Sequence, residues 1–117
     1  MKNIILIDDV TDICEALSML IKMKVPNISV DLASNGLEAI KLIKDKYYDL
    51  IITDLNMPIL SGDEMILQLK KENINHGKIY IMSGYSENKN KQIEYDRYFS
   101  KPIELKELIQ GIISDLK

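Results

Sequence analysis

The 117-residue chain predicts an α/β domain: a five-stranded parallel sheet with helices on both of its faces. Three observations carry that expectation. Short, wholly apolar runs such as Ile4-Ile5-Leu6-Ile7 and Leu50-Ile51-Ile52 read as strands buried on both faces. Between them lie segments whose apolar residues recur at helical spacing, and the two kinds of segment alternate from end to end. Right-handed crossovers between parallel strands then put the helices on the two faces of the sheet.

The first strand, residues 4–7, runs into Asp8-Asp9. A helix of about 12 residues follows, capped near Thr11 or Asp12, with Ile13, Leu17 and Leu20 on its inward face and Pro26 marking its end. Residues 28–32 form the second strand, and Ser34-Asn35-Gly36 is a turn. From the turn rises a helix with Leu37, Ile40 and Ile43 or Lys44 at helical spacing, and Glu38 lies three residues after a candidate Asn35 cap. The third strand spans 49–53; Asp54 sits where it leaves the core, and Pro58 blocks further ladder pairing.

Ser61 and Glu64 form a capping box that opens a helix with Met65, Ile66 and Leu69 inward. Lys70 and Lys71 stand near its negative end, where cations suit the dipole. Residues 78–82 make a fourth strand and 97–100 a short fifth one. Between those two strands the pattern weakens, because residues 87–92 include no apolar side chain and only Ile93 and Tyr95 are available to bury. A helix there is short and poorly anchored. Leu105, Leu108, Ile109, Ile112, Ile113 and Leu116 then give the strongest amphipathic signal in the chain.

Composition narrows the function. With 46% hydrophobic and 28% charged residues the chain is globular, and its length suits one domain spanning residues 1–117. A net charge of −3 argues against a nucleic-acid-binding module. No apolar run approaches the ~18 residues of a membrane span, and the N-terminus turns acidic too early for a signal peptide. The single cysteine, Cys14, cannot form an internal disulfide, reads as a core residue, and points to the cytoplasm. The lone His76, beside Gly77, reads as a solvated turn residue, and no Cys or His cluster offers a zinc site.

Chemistry gathers at the strand ends. The first strand runs into Asp8-Asp9, the third into Asp54, the fourth into Ser83-Gly84, and Lys101-Pro102 follows the fifth. In a parallel sheet these all emerge at one edge, with neighbouring strands about 4.8 Å apart. Each pair of like charges at ~4 Å repels by roughly 4 kcal/mol at an effective dielectric of about 20. Lys101 offsets part of that, and a hard divalent cation, Mg2+ or Mn2+, would offset the rest. Carboxylate, cation, ammonium and hydroxyl together suit phosphoryl transfer, the carboxylate attacking phosphorus to form an aspartyl phosphate. No phosphate-binding G-x-x-x-x-G-K-[ST] loop is present, so the group is expected to come from another protein rather than from a nucleotide.

Asp8-Asp9, Asp54 with Asn56-Met57-Pro58 behind it, Gly62, Ser83-Gly84 and Lys101-Pro102 resemble, in order and spacing and over the whole chain, the receiver domain of two-component response regulators. The resemblance implies a flavodoxin-like, doubly wound sheet of strand order 2-1-3-4-5. It implies that Asp54 is the phospho-acceptor, and that Asp8, Asp9, Asp54 and the Asn56 backbone carbonyl bind the metal. Ser83 would contact the phosphoryl group and Lys101 would pair with it, ahead of a cis peptide to Pro102. Tyr98 matches the switch aromatic that follows Ser83, while Asn56 and Tyr85 would tune loss of the acyl phosphate to water. The implied partners are a histidine kinase or histidine phosphotransfer protein and an unknown downstream protein. No nucleic acid and no membrane insertion are implied, and the acting form is a monomer or weak dimer. Such a domain catalyses only its own phosphorylation and slow dephosphorylation.

One departure stands out. Ser83 and Lys101 are 101 − 83 = 18 positions apart, about four fewer than is usual in this family, or roughly one helical turn. The helix between the fourth and fifth strands is therefore expected to be shortened. Two other readings compete. The chain could be the receiver piece of a longer regulator or hybrid kinase, although its Met1 start argues mildly against the hybrid. A Mg-dependent phosphatase with an Asp nucleophile would place it in D-x-D, whereas Asp8 and Asp9 are adjacent. A receiver-like domain that binds without phosphorylation is disfavoured, since every acidic and basic position is filled.

Overall fold

The structure is a computed structural model that describes residues 1–84 and 93–117. Its elements run β1 (Lys2–Ile7), α1 (Thr11–Lys24), β2 (Ile28–Ala33), α2 (Gly36–Asp45), β3 (Leu50–Asp54), α3 (Gly62–Lys71), β4 (Lys78–Ser83), β5 (Arg97–Ser100) and α4 (Leu105–Asp115). The strands pair in the order β2-β1-β3-β4-β5, and every pairing is parallel. This is the doubly wound order the resemblance implied.

Side chains alternate across the strands and build two core layers. Ile5, Ile7, Ile51, Ile79 and Ile81 face α2 and α3, meeting Ala39, Ile40, Ile43, Met65 and Leu69. Ile4, Leu6, Leu50, Ile52, Tyr80 and Met82 face the other way, onto Cys14 and Ile21 of α1 and Leu108 and Ile112 of α4. Burying each large aliphatic side chain contributes about 1.5–3 kcal/mol, so the central strands anchor the fold. All five residues of β3 are buried. Its last two, Thr53 and Asp54, are polar and need partners at that depth.

The helix ends follow local chemistry where the sequence offers it. Asn35 accepts a hydrogen bond from the Glu38 backbone N–H and caps α2, and Ser61 with Glu64 closes a full capping box on α3. Helix α1 departs from expectation in two ways. Val10 occupies its N-cap position without a side-chain cap bond, so neither Thr11 nor Asp12 caps it. Its buried residues are Cys14, Ser18 and Ile21, whereas Ile13 and Leu20 are exposed and Leu17 is half-buried. The physical reason lies in its composition: Ile13, Ala16, Met19, Leu20 and Met23 make the outer face apolar too, so periodicity alone does not select the inward side. In α2 the inward set is Ala39, Ile40 and Ile43, with Leu37 exposed; in α4 Ile113 is exposed.

Strand β3 ends at Asp54, one residue later than predicted, which makes the acid the final strand residue. The short helix expected between β4 and β5 falls largely on residues 85–92, outside the described residues, as does Tyr85; residues 93–96 are not helical. Ile93 is buried, as expected, while Tyr95 is exposed.

Candidate functional site

Register delivers the predicted residues to one edge of the sheet. Ile7 pairs with Thr53, Asp54 with Met82, and Ser83 with Ser100. Asp8, Asp54, Ser83 and Lys101 therefore all leave the sheet on the same side. Asp8 and Asp54 are buried, at 2% and 6% exposure, and Ser83 is fully buried, while Asp9 is exposed.

The Lys101 Nζ donates to Asp54 Oδ2 at 2.7 Å and reaches Asp8 Oδ2 at 3.5 Å. The backbone of Lys101 is tied to β4, its N–H donating to the Ser83 carbonyl at 2.8 Å, and the peptide to Pro102 is cis, as expected. The other carboxylate oxygens are held by backbone. The Val10 N–H donates to Asp8 Oδ1 at 3.0 Å, and the Asn56 N–H donates to Asp54 Oδ1 at 3.2 Å. Each acid is thus aimed by the loop that directly follows it.

Burial pulls the Lys101 ammonium toward neutrality, but the hydrogen bond and charge of Asp54, with Asp8 behind it, outweigh that and hold its pKa above the ordinary lysine value. Lys101 stays charged. Oxygens of Asp8, Asp9 and Asp54 lie within 4.8 Å of one another, a spacing that allows one ion to be shared among them. The donor set is all carboxylate, with neither sulfur nor imidazole. That chemistry fits a hard divalent cation.

The loop after β3 is tightly built. The Gly62 N–H donates to the Leu55 carbonyl at 2.9 Å, and a Cβ at position 62 would lie 2.1 Å from the Asp54 carbonyl oxygen, so only glycine fits. Ile59 adopts φ 70°, and the Leu60 N–H donates back to the Pro58 carbonyl at 2.8 Å, a γ-turn with its central φ positive. That conformation costs a β-branched residue on the order of 1–3 kcal/mol.

Tyr98 is half-buried against the α2–α3 side of the core, its ring 6.0 Å from that of Tyr95. Asn56 is exposed on the rim. Cys14 lies under the site, and burial first, then the charge of Asp8, push its thiol up to about 11, which keeps it protonated and inert. His76 is part-buried and bonded through Nδ1 to its neighbour's carbonyl. Sequence reasoning missed Thr53, whose hydroxyl donates to the Asp54 carbonyl at 2.8 Å. The available signal was a hydroxyl in a strand otherwise filled with aliphatics.

Comparison with known proteins agrees with this geometry. The sequence model of the response regulator receiver domain matches residues 4–113. The cell cycle response regulator CtrA of Brucella ovis is 32% identical over 115 residues, covering 94% of this chain and 48% of that protein. A CpxR homolog, a transcriptional regulatory protein of Haemophilus influenzae, is 27% identical over 121 residues, covering 100% of this chain and 51% of its own. The chain spans about half the length of these curated relatives. Among solved structures, the Francisella response regulator 1452 receiver domain superposes with TM-score 0.87 at 28% identity, covering 98% of this chain and 96% of that one. The Thermotoga maritima response regulator TrrA, solved in complex with Mg2+-BeF, superposes with TM-score 0.84 at 30% identity, covering 98% and 99%.

Proposed function

Because this chain belongs to the family of response regulator receiver domains, we propose that Asp54 accepts a phosphoryl group from a phosphohistidine on a histidine kinase or phosphotransfer protein, in a Mg2+-dependent reaction. One Asp54 carboxylate oxygen attacks phosphorus, the N–P bond breaks, and the departing imidazole keeps the bonding pair and takes a proton. The product is an acyl phosphate on Asp54. Slow attack of water on that phosphorus returns the carboxylate and inorganic phosphate.

The observation that supports this reading most is the ammonium of Lys101, 2.7 Å from Asp54 Oδ2 and 3.5 Å from Asp8 Oδ2, beside three clustered carboxylates. Lys101 neutralises a phosphoryl oxygen as charge develops. Asp8, Asp9, Asp54 and the Asn56 backbone carbonyl would hold Mg2+, which when bound supplies positive charge to the equatorial oxygens. Ser83, at the end of β4, donates to the bound phosphoryl group, and the half-buried Tyr98 changes rotamer in response. Asn56 and Tyr85 set the rate at which water reaches phosphorus. Output is by protein contact, in a cytoplasmic setting, from a monomer or weak dimer. The relatives are about twice as long, so the same switch also serves as the receiver part of a longer regulator in the second reading.

Incubation with acetyl phosphate and Mg2+, followed by mass spectrometry, tests the assignment. Wild type is expected to gain one acid-labile phosphoryl group on Asp54, and Asp54→Ala none. Equal labelling of the two proteins would remove Asp54 from its role.

A further inference from the structure

We propose that Thr53 is a positioning residue for the phospho-acceptor: its hydroxyl holds the Asp54 backbone carbonyl, and with it the turn that presents Asp54 and Asn56 to the cation. The inference rests on the receiver reading above and deepens it. Thr53 is 0% exposed, and the three strand residues before it, Leu50, Ile51 and Ile52, are all aliphatic. A buried hydroxyl is unfavourable unless it is hydrogen-bonded, and valine would fill the same space without that demand. The bond Thr53 makes is to the acceptor's own backbone, from Oγ1 to the Asp54 carbonyl oxygen at 2.8 Å.

Independent contacts converge on the same peptide. Gly62 lies against that carbonyl so closely that an added Cβ would stand 2.1 Å from it, and the Gly62 N–H holds the next carbonyl, that of Leu55, at 2.9 Å. One residue further on, the Asn56 N–H donates to Asp54 Oδ1 at 3.2 Å. Rotation of the Asp54 carbonyl would therefore move two groups together: the Asp54 carboxylate and the Asn56 backbone. Both belong to the set proposed to hold Mg2+. The Thr53 hydroxyl donates to the Asp54 carbonyl, and Thr53 is outside the set proposed to hold Mg2+, so its effect falls on metal affinity before it falls on the saturated rate.

The test compares wild type, Thr53→Val and Thr53→Ser. Isothermal titration with MgCl2, in the absence of any phosphodonor, gives the Mg2+ dissociation constant of each protein. Acetyl phosphate labelling of Asp54 across the same MgCl2 range separates half-saturation from maximal rate. Loss of one neutral hydrogen bond predicts a dissociation constant about three- to tenfold higher in Thr53→Val, a parallel shift in half-saturation, and a maximal rate within about twofold of wild type. Thr53→Ser, which keeps the hydroxyl and loses only a methyl group, is expected to restore wild-type affinity. An unchanged constant in Thr53→Val overturns the proposal, and so does a Thr53→Ser protein that fails as badly as the valine variant. If wild type binds Mg2+ with the predicted ranking but takes no label on Asp54, the receiver reading falls and the positioning role toward the metal stands.

Discussion

Asp54 at the end of β3 and Asp115 at the end of α4 both face a cation, yet their surroundings differ in one respect. Asp115 accepts from Arg97 through both oxygens, from Nε at 2.8 Å and Nη2 at 3.2 Å, and also from the hydroxyl of the fully buried Tyr80. One carboxylate meets one guanidinium, and the charges cancel. At the other cluster three carboxylates meet one ammonium, 1 − 3 = −2. The balanced cluster ties β4, β5 and α4 together and offsets the cost of a carboxylate at a helix C-terminus. The unbalanced one holds repulsion that, among the described residues, Lys101 offsets only in part. Structural clusters close their own charge; a site leaves charge for a ligand to close.

The largest expected effect separates the two by exchanging stability for activity. Asp115→Ala leaves the buried Tyr80 hydroxyl without its acceptor, which costs about 1–3 kcal/mol, and is expected to lower the urea midpoint while Asp54 still labels at the wild-type rate. Asp9→Asn should do the reverse. Removing one of three like charges is expected to raise metal-free stability by about 0.5–1 kcal/mol, since Asp9 is exposed and solvent screens it. Its labelling should collapse. Should Asp9→Asn destabilise the metal-free protein, the claim that the site stores repulsion is wrong.

Cation binding sharpens the contrast. A ligand held only by the folded state stabilises it by about 1.4 kcal/mol at ten times its dissociation constant. Melting of wild type and of Asp115→Ala should rise by that same increment in excess MgCl2, whereas Asp9→Asn should show little or none. An equal rise in all three proteins would mean that the ion acts elsewhere.

Much of this is legible in the sequence itself. A parallel sheet covered on both faces followed from alternation and handedness, and its strand order from the family resemblance; that Asp8, Asp54, Ser83 and Lys101 share one edge followed because a parallel sheet sends its strand ends the same way. Caps with a side-chain partner, at Asn35 and Ser61, were legible for the same local reason. The inward face of α1 was not, because a helix apolar on both sides gives periodicity nothing to select. The Asp115–Arg97–Tyr80 clasp was equally hidden. Its members are separated by up to 35 positions, and each looks ordinary by itself. Thr53 was overlooked because threonine is an unremarkable strand residue until its partner is known.

The smallest effect lies in the pH dependence, and it distinguishes the two cations. The folded-state pKa of Lys101 is raised: burial opposes the shift, and Asp54 and Asp8 overcome it. A raised pKa contributes stability that is fully present below the unfolded value, about 10.4, and is lost as pH climbs through the folded one. Lys101→Met removes that contribution, leaving Asp8 and Asp54 as unpaired as they become in wild type once Lys101 is neutral. The stability gap between wild type and Lys101→Met should therefore narrow from about pH 10 upward. Its size is modest, because the Lys101 side chain is 32% exposed and solvent screens the pair. Arg97 is pushed further up still, chiefly by its hydrogen bond to Asp115, and keeps its charge throughout. The gap between wild type and Arg97→Met should hold steady across the same range, with Tyr80 and Asp115 retained in both proteins. Urea midpoints taken from about pH 8 to 11.5 measure both gaps. Gaps that narrow in step, or a Lys101 gap that stays flat, would mean that the ammonium at the acid cluster is no less permanently charged than the guanidinium of the clasp, and the distinction between them would lose its physical basis.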